Sequence, residues 1–323
     1  MNEPKVICGY GYGSGVFSPL INYPGVADYM CVKNLLLAHA KAYHIYDEEF
    51  RATQGGVISI TIDAQWYEAE KEEDTDLALE INAMSWGIYT NPIYSKTGDL
   101  PHQLKERVAA KSLQQGFFRS RLPELTPEEV DYIKGTADFF GLNHYTTYLV
   151  YRNESLVNQY PVPSFFDDLE YGRYQKPEWS ISIAGPSTIT KSFPLGFYKL
   201  LTYIREVYDN PPVFITENGF ATHGGLDDYD RVKYYQDYIN AMLDAMEEGS
   251  DIRAYTAWSL MDNFEWVRGY VQRFGLYEVD FEDPERTRIP RKSAFVYKEI
   301  VRTRSLDYDF EPDTTVMTID AGH

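Results

Sequence analysis

Apolar residues recur at helical spacing from Met30 to Phe50, and the period then changes. Gly56-Val57-Ile58-Ser59-Ile60-Thr61-Ile62-Asp63 is a glycine-started, β-branched run that predicts a strand. A second helix is predicted with Asp76 near its start and Ala78 to Tyr89 in its body, followed by a buried strand from Ala137 to Tyr145. A third helix, Gly196 to Tyr208, must stop at Asn210-Pro211-Pro212, because proline cannot continue a helix and restricts the residue before it. Val213 to Glu217 then reads as a strand, Asp228 to Glu247 as a helix, Ala254 to Ser259 as a strand and Ser293 to Thr303 as the last helix.

Strands that alternate with helices and carry apolar residues on both faces argue for a parallel sheet covered by helices, an α/β architecture. Polar residues gather where each strand ends: Asp63, then Asn143 and Tyr145, then Glu217 and Asn218, then Asp262 to Trp266. A (β/α)8 barrel puts its active site at those ends. Such a barrel needs eight strands and four are complete here. No linker or repeat divides the chain, so residues 1–323 are expected to form one domain.

Composition narrows the function. The formal net charge of −19 repels phosphate backbones and anionic lipid heads, which disfavours nucleic acid and membrane surfaces as partners. The longest apolar runs are too short to cross a bilayer, and the first twenty residues lack the pattern of a signal peptide. Cys8 and Cys31 form no CxxC pair; two buried thiols are the expectation and a single bridge the alternative. The six histidines show no HExxH spacing, so neither a metal nor another cofactor is expected. Aromatic residues make up 15% of the chain, which suits both sugar faces and ordinary cores.

Two glutamates follow asparagine or precede it at strand ends: Asn2-Glu3-Pro4 and Thr216-Glu217-Asn218-Gly219. Taken singly, each is a solvated charge or a salt-bridge partner in most proteins. Facing each other across a barrel mouth, they would form the carboxyl pair that glycoside hydrolysis needs, one protonated and one ionised.

Those two motifs, with Trp258-Ser259-Leu260-Met261-Asp262-Asn263-Phe264-Glu265-Trp266, resemble the signatures of family 1 glycoside hydrolases, the retaining β-glucosidases. Ser120-Arg121-Leu122-Pro123, Phe140 to Thr146 and Arg273-Phe274-Gly275-Leu276 match as well, and the surroundings of Cys8, Cys31 and His39 resemble insect members. The resemblance implies Glu3 as acid/base and Glu217 as nucleophile, about 5 Å apart as retention requires. It also implies Tyr145 hydrogen-bonded to the nucleophile, Asn2 at the sugar 2-hydroxyl, Glu265 and Trp266 on the distal hydroxyls, and Asn143, Trp258 and Phe274 lining the pocket. The substrate implied is a small β-glucoside or oligosaccharide, and by resemblance the full-length form is secreted.

Family members carry about another third of chain before Asn-Glu-Pro, so Met1 stands near the end of barrel strand four. The expectation is therefore the C-terminal portion of a (β/α)8 barrel, from the end of strand four through helix eight, impaired as a catalyst. A thioglucosidase and a non-catalytic relic are the alternatives. Asn153-Glu154-Ser155 is a glycosylation sequon, and Ser187-Thr188-Ile189 replaces an aromatic residue common in the family.

Overall fold

The computed structural model describes residues 1–152, 163, 165–179, 191–222 and 224–314. The Asn153 sequon and the Ser187-Thr188-Ile189 segment lie outside the described residues. Its strands are β1 (Thr61–Asp63), β2 (Trp66–Ala69), β3 (Phe140–Asn143), β4 (Thr147–Tyr151), β5 (Gly172–Tyr174), β6 (Val213–Asn218), β7 (Ile252–Ala257), β8 (Tyr277–Val279) and β9 (Arg288–Pro290). The main sheet runs β1-β3-β6-β7, every neighbour parallel and in chain order. Asn2 adds a single parallel bridge to Thr61 on the outer edge of β1. A three-stranded sheet, β2-β4-β5, and a hairpin, β8-β9, stand beyond the strand ends.

Parallel strands need long crossovers, and helices supply them. The principal ones are α1 (Ala27–Ile45), α2 (Thr75–Ser85), α3 (Gly87–Tyr94), α4 (His102–Gln114), α5 (Pro127–Ile133), α6 (Pro194–Val207), α7 (Tyr229–Glu247) and α8 (Lys292–Thr303). α5 starts with a reciprocal cap in which Thr126 accepts from the Glu129 N–H and the Glu129 carboxylate accepts from the Thr126 N–H.

The four expected strands are present, two of them shorter. The 56–63 run enters the ladder only at Thr61; before it, Ile58 O accepts the Asp138 N–H at 3.0 Å, the Asp138 carboxylate takes the Ile58 N–H at 2.7 Å, and the Tyr94 hydroxyl occupies Phe139 O at 2.8 Å. The expected helix to Tyr89 is two helices, broken at Trp86-Gly87, where the fully buried Trp86 ring packs edge-on against Tyr203 and Tyr208. Much of the aromatic content is core: Tyr234, Tyr235 and Tyr238 are buried on α7, and the Tyr234 and Tyr238 rings stack at 4.0 Å.

One expectation is corrected. Cys8 and Cys31 are not thiols but a disulfide. Cys8 lies on the turn that follows Glu3 and Cys31 on α1, with Cα atoms 5.4 Å apart, inside the range a bridge can span.

Candidate active site

Three polar residues stand side by side where three strands end. Asn143 closes β3 and is in register with Asp63 on β1 and Glu217 on β6. Glu3 reaches the same place from the edge, because its N–H donates to Thr61 O at 2.9 Å; its backbone is left-handed, with φ 48°. The Asn143 amide donates to Glu3 Oε1 at 2.8 Å and to Asn2 Oδ1 at 3.2 Å, and accepts from the Thr216 hydroxyl at 2.6 Å. Tyr145 donates to Glu217 Oε2 at 2.6 Å. The structure thus brings Asn2, Glu3, Asn143, Tyr145 and Glu217 together.

The two glutamates sit in different fields. Burial, then the charge of Asp63, pushes the Glu3 carboxyl up to about 8, and Glu217 adds to the rise against the Asn143 bond. Burial also raises Glu217, but the Tyr145 hydroxyl and the amides of Asn143 and Asn2 oppose it. Burial followed by the Glu217 charge lifts the Tyr145 phenol well above its usual range, so it stays a donor.

The other four residues come from one loop after β7. Phe274 is buried with its ring edge-on to Tyr145, centroids 6.0 Å apart. Glu265 is half-buried; burial raises its carboxyl, the Trp258 indole opposes that, and the Glu217 charge adds to it. Trp266 lies at the rim, 50% exposed, stacked on Phe17 at 5.0 Å. Its indole is turned toward that ring, so it is the outlying member of the set.

Buried guanidinium groups hold that loop. Arg291 pairs with both Asp262 oxygens at 3.0 and 2.9 Å, and Asp262 accepts the Gly275 N–H at 3.0 Å. Arg231 pairs with Asp228 and donates to Gly275 O at 2.8 Å. Asn218 ties β6 to its neighbours through His144 O, Tyr234 and Tyr255. Gly219 can only be glycine, since a Cβ there would collide with the Trp258 carbonyl.

Lys5 and Asp63 are parts of the site that the motifs did not single out. Lys5 Nζ lies 2.9 Å from Asp63 Oδ2. Asp63 is visible in the sequence as a polar strand end, whereas nothing about Lys5 marks it. Among the described residues, no group of His, Cys, Asp and Glu is arranged to hold a metal ion.

The family model for Glycosyl hydrolase family 1 matches residues 1–306. The chain belongs to this family. It is 43% identical to lactase/phlorizin hydrolase of Rattus norvegicus over 94% of its length, which is 16% of that protein. The solved structure of aphid myrosinase superimposes with a TM-score of 0.84 at 36% identity, covering 93% of this chain and 64% of that one. A family 1 β-glucosidase from the fungus Humicola insolens, solved in complex with glucose, gives 0.80 at 32%, covering 94% and 65%. The chain therefore spans less than two thirds of these relatives. Family 1 proteins are (β/α)8 barrels, and the β1-β3-β6-β7 sheet is an arc of one.

Proposed function

We propose that this protein is a retaining β-glycosidase that hydrolyses β-D-glucosides by double displacement. The observation that carries this reading is the different donor sets of two glutamates gathered around Asn143: Glu217 takes the Tyr145 hydroxyl at 2.6 Å, whereas Glu3 has the Asn143 amide at 2.8 Å, and burial with the Asp63 charge pushes Glu3 upward. In the first step Glu217 attacks the anomeric carbon, and Glu3 passes its proton to the departing glycosidic oxygen. In the second, Glu3 takes a proton from water as that water attacks the same carbon, and Glu217 leaves. No metal or organic cofactor enters either step.

Asn2 would orient the sugar at its 2-hydroxyl with Asn143 holding Asn2 and Glu3 in place, Glu265 and Trp266 would meet the distal hydroxyls, and Trp258 and Phe274 would cover ring faces. The four-stranded arc is open, and among the described residues no fifth strand lies along the outer edge of β7, whose continuation makes one parallel bridge, Met261 to Tyr277, so these 323 residues expressed alone are expected to turn over slowly. The disulfide supports an oxidising compartment such as the secretory pathway. Among the described residues, no helix is long and apolar enough to cross a membrane.

The test is to react the protein with a 2-deoxy-2-fluoro-β-glucosyl fluoride and map the labelled peptide. A label on Glu217 is expected; a label on another residue overturns the assignment. A thioglucosidase is the second reading, favoured by the likeness to aphid myrosinase. Faster turnover of a thioglucoside than of the matching O-glucoside would select it.

A further inference from the structure

Three carboxyl groups meet around Asn143, and the double displacement uses two of them. The third is Asp63. Its register with Asn143 sends both side chains from the same face of the sheet, and Glu3 closes the corner through its bond to Thr61. Asp63 is 5% exposed. Its Oδ2 takes Lys5 Nζ at 2.9 Å and Gln65 Nε2 at 3.3 Å, while Oδ1 is buried with no hydrogen-bond partner.

Each carboxyl has a different set of donors. Glu217 has Tyr145 and the nearby amides of Asn143 and Asn2. Asp63 has the Lys5 ammonium. Glu3 has one amide donor, Asn143, and faces two other carboxyl groups. A proton at such a site settles on the carboxyl whose anion has the fewest donors. Lys5 is two residues beyond Glu3, so one short turn carries both the acid and the cation that holds its neighbour.

We propose that Lys5 and Asp63 form a fixed ion pair whose negative end beside Glu3 keeps the proton on Glu3. Lys5 and Asp63 are positioning residues, because they act through Glu3. This inference rests on the reading of Glu3 as the acid. The charged and titratable groups around Glu3 are Asp63, Glu217, Lys5 and the neutral phenol of Tyr145; those around Lys5 are Glu3, Asp63, Tyr67, Tyr148 and Arg173. Burial pulls the Lys5 ammonium down, but the Asp63 charge, the Tyr67 phenol and the hydrogen bond to Asp63 together outweigh it, and the group ends above its ordinary value.

The full chain labelled with 13Cδ-glutamate tests this by NMR titration, the Glu3 resonance being the one lost in Glu3→Gln. Asp63→Asn is expected to move the Glu3 midpoint to lower pH. The double variant Lys5→Gln/Asp63→Asn, which strands no buried ammonium, is expected to move it the same way. The alkaline limb of kcat/KM on phenyl β-glucoside should follow, whereas a merely structural role would lower the rate at every pH and leave the limb in place. An unchanged or raised midpoint in both variants overturns the ion-pair proposal. A wild-type Glu3 that already titrates in the ordinary carboxylate range overturns instead the reading of Glu3 as the acid.

Discussion

The Tyr145 hydroxyl lies 2.6 Å from Glu217 Oε2, so a residue just past the end of β3 governs the carboxyl at the end of β6. The bond favours the ionised form of Glu217, the proposed nucleophile. Tyr145→Phe removes it and leaves the ring against Phe274. A hydrogen bond to a charged group is worth about 1.5–3 kcal/mol, so kcat/KM should fall roughly ten- to a hundredfold. Because this bond lowers Glu217, its loss raises that carboxyl, and the acidic limb of the pH profile should move to higher pH. Steady-state kinetics across the acid range check both.

Glu3→Gln removes the proposed proton donor and keeps the shape. With phenyl β-glucoside, whose leaving group needs a proton, the rate should fall by about 10²–10⁴. With 2,4-dinitrophenyl β-glucoside the bond-breaking step should be largely spared. In the unsubstituted protein, activity on the poor leaving group should decline as pH rises through about 8, where Glu3 loses its proton.

Glu265 places a carboxyl beside the proposed glycone pocket, and a 6-phosphate there would meet like charge at short range. Neutral glucosides should be turned over in preference to 6-phosphoglucosides. Glu265→Gln should narrow that preference by about tenfold, on the scale of one kcal/mol or slightly more. Faster turnover of the phosphorylated sugar by the unsubstituted protein would show that Glu265 does not face the 6-position.

Arg291→Met leaves Asp262, a buried carboxylate that anchors the loop carrying Glu265, Trp266 and Phe274, with only the longer Arg273 contact at 3.3 Å and two backbone N–H groups, so the loss reaches at most the full cost of a broken buried pair. Breaking one side of a buried pair costs about 3–5 kcal/mol. Urea denaturation should register a loss of up to that size. The activity of the remaining folded fraction should drop further than that of a variant destabilised equally elsewhere.

Burial lowers His144 to about 4, so the native state holds it neutral while the unfolded chain takes up a proton near 6.5. Its contribution is complete above pH 6.5 and is lost as pH falls toward 4. The full swing is about 3 kcal/mol at 1.36 kcal/mol per unit. His144→Phe should flatten the pH dependence of unfolding free energy in that window, read from urea curves at several pH values.

The β/α alternation was legible because buried parallel strands are continuous apolar runs, as in Val213 to Ile215. The start of β1 was not, since the Asp138 side chain that takes the Ile58 N–H lies 80 residues away. Glu3 and Glu217 could be read from motifs whose neighbours are fixed by backbone packing, as Gly219 is by Trp258. Lys5 could not, because its role depends on a side chain on another strand. The Cys8–Cys31 bond eluded a reading by residue type, which sees two small apolar side chains and not the distance between them.

That bond also bears on how the protein is prepared. It joins the turn beginning at Glu3 to α1, so material from a reducing bacterial cytosol and material from an oxidising host are two covalent species. Closing a loop of this length restricts the unfolded chain by about 3 kcal/mol. Batches should be assayed for free sulfhydryls before their rates are compared, because a mixed batch would report an average of two molecules.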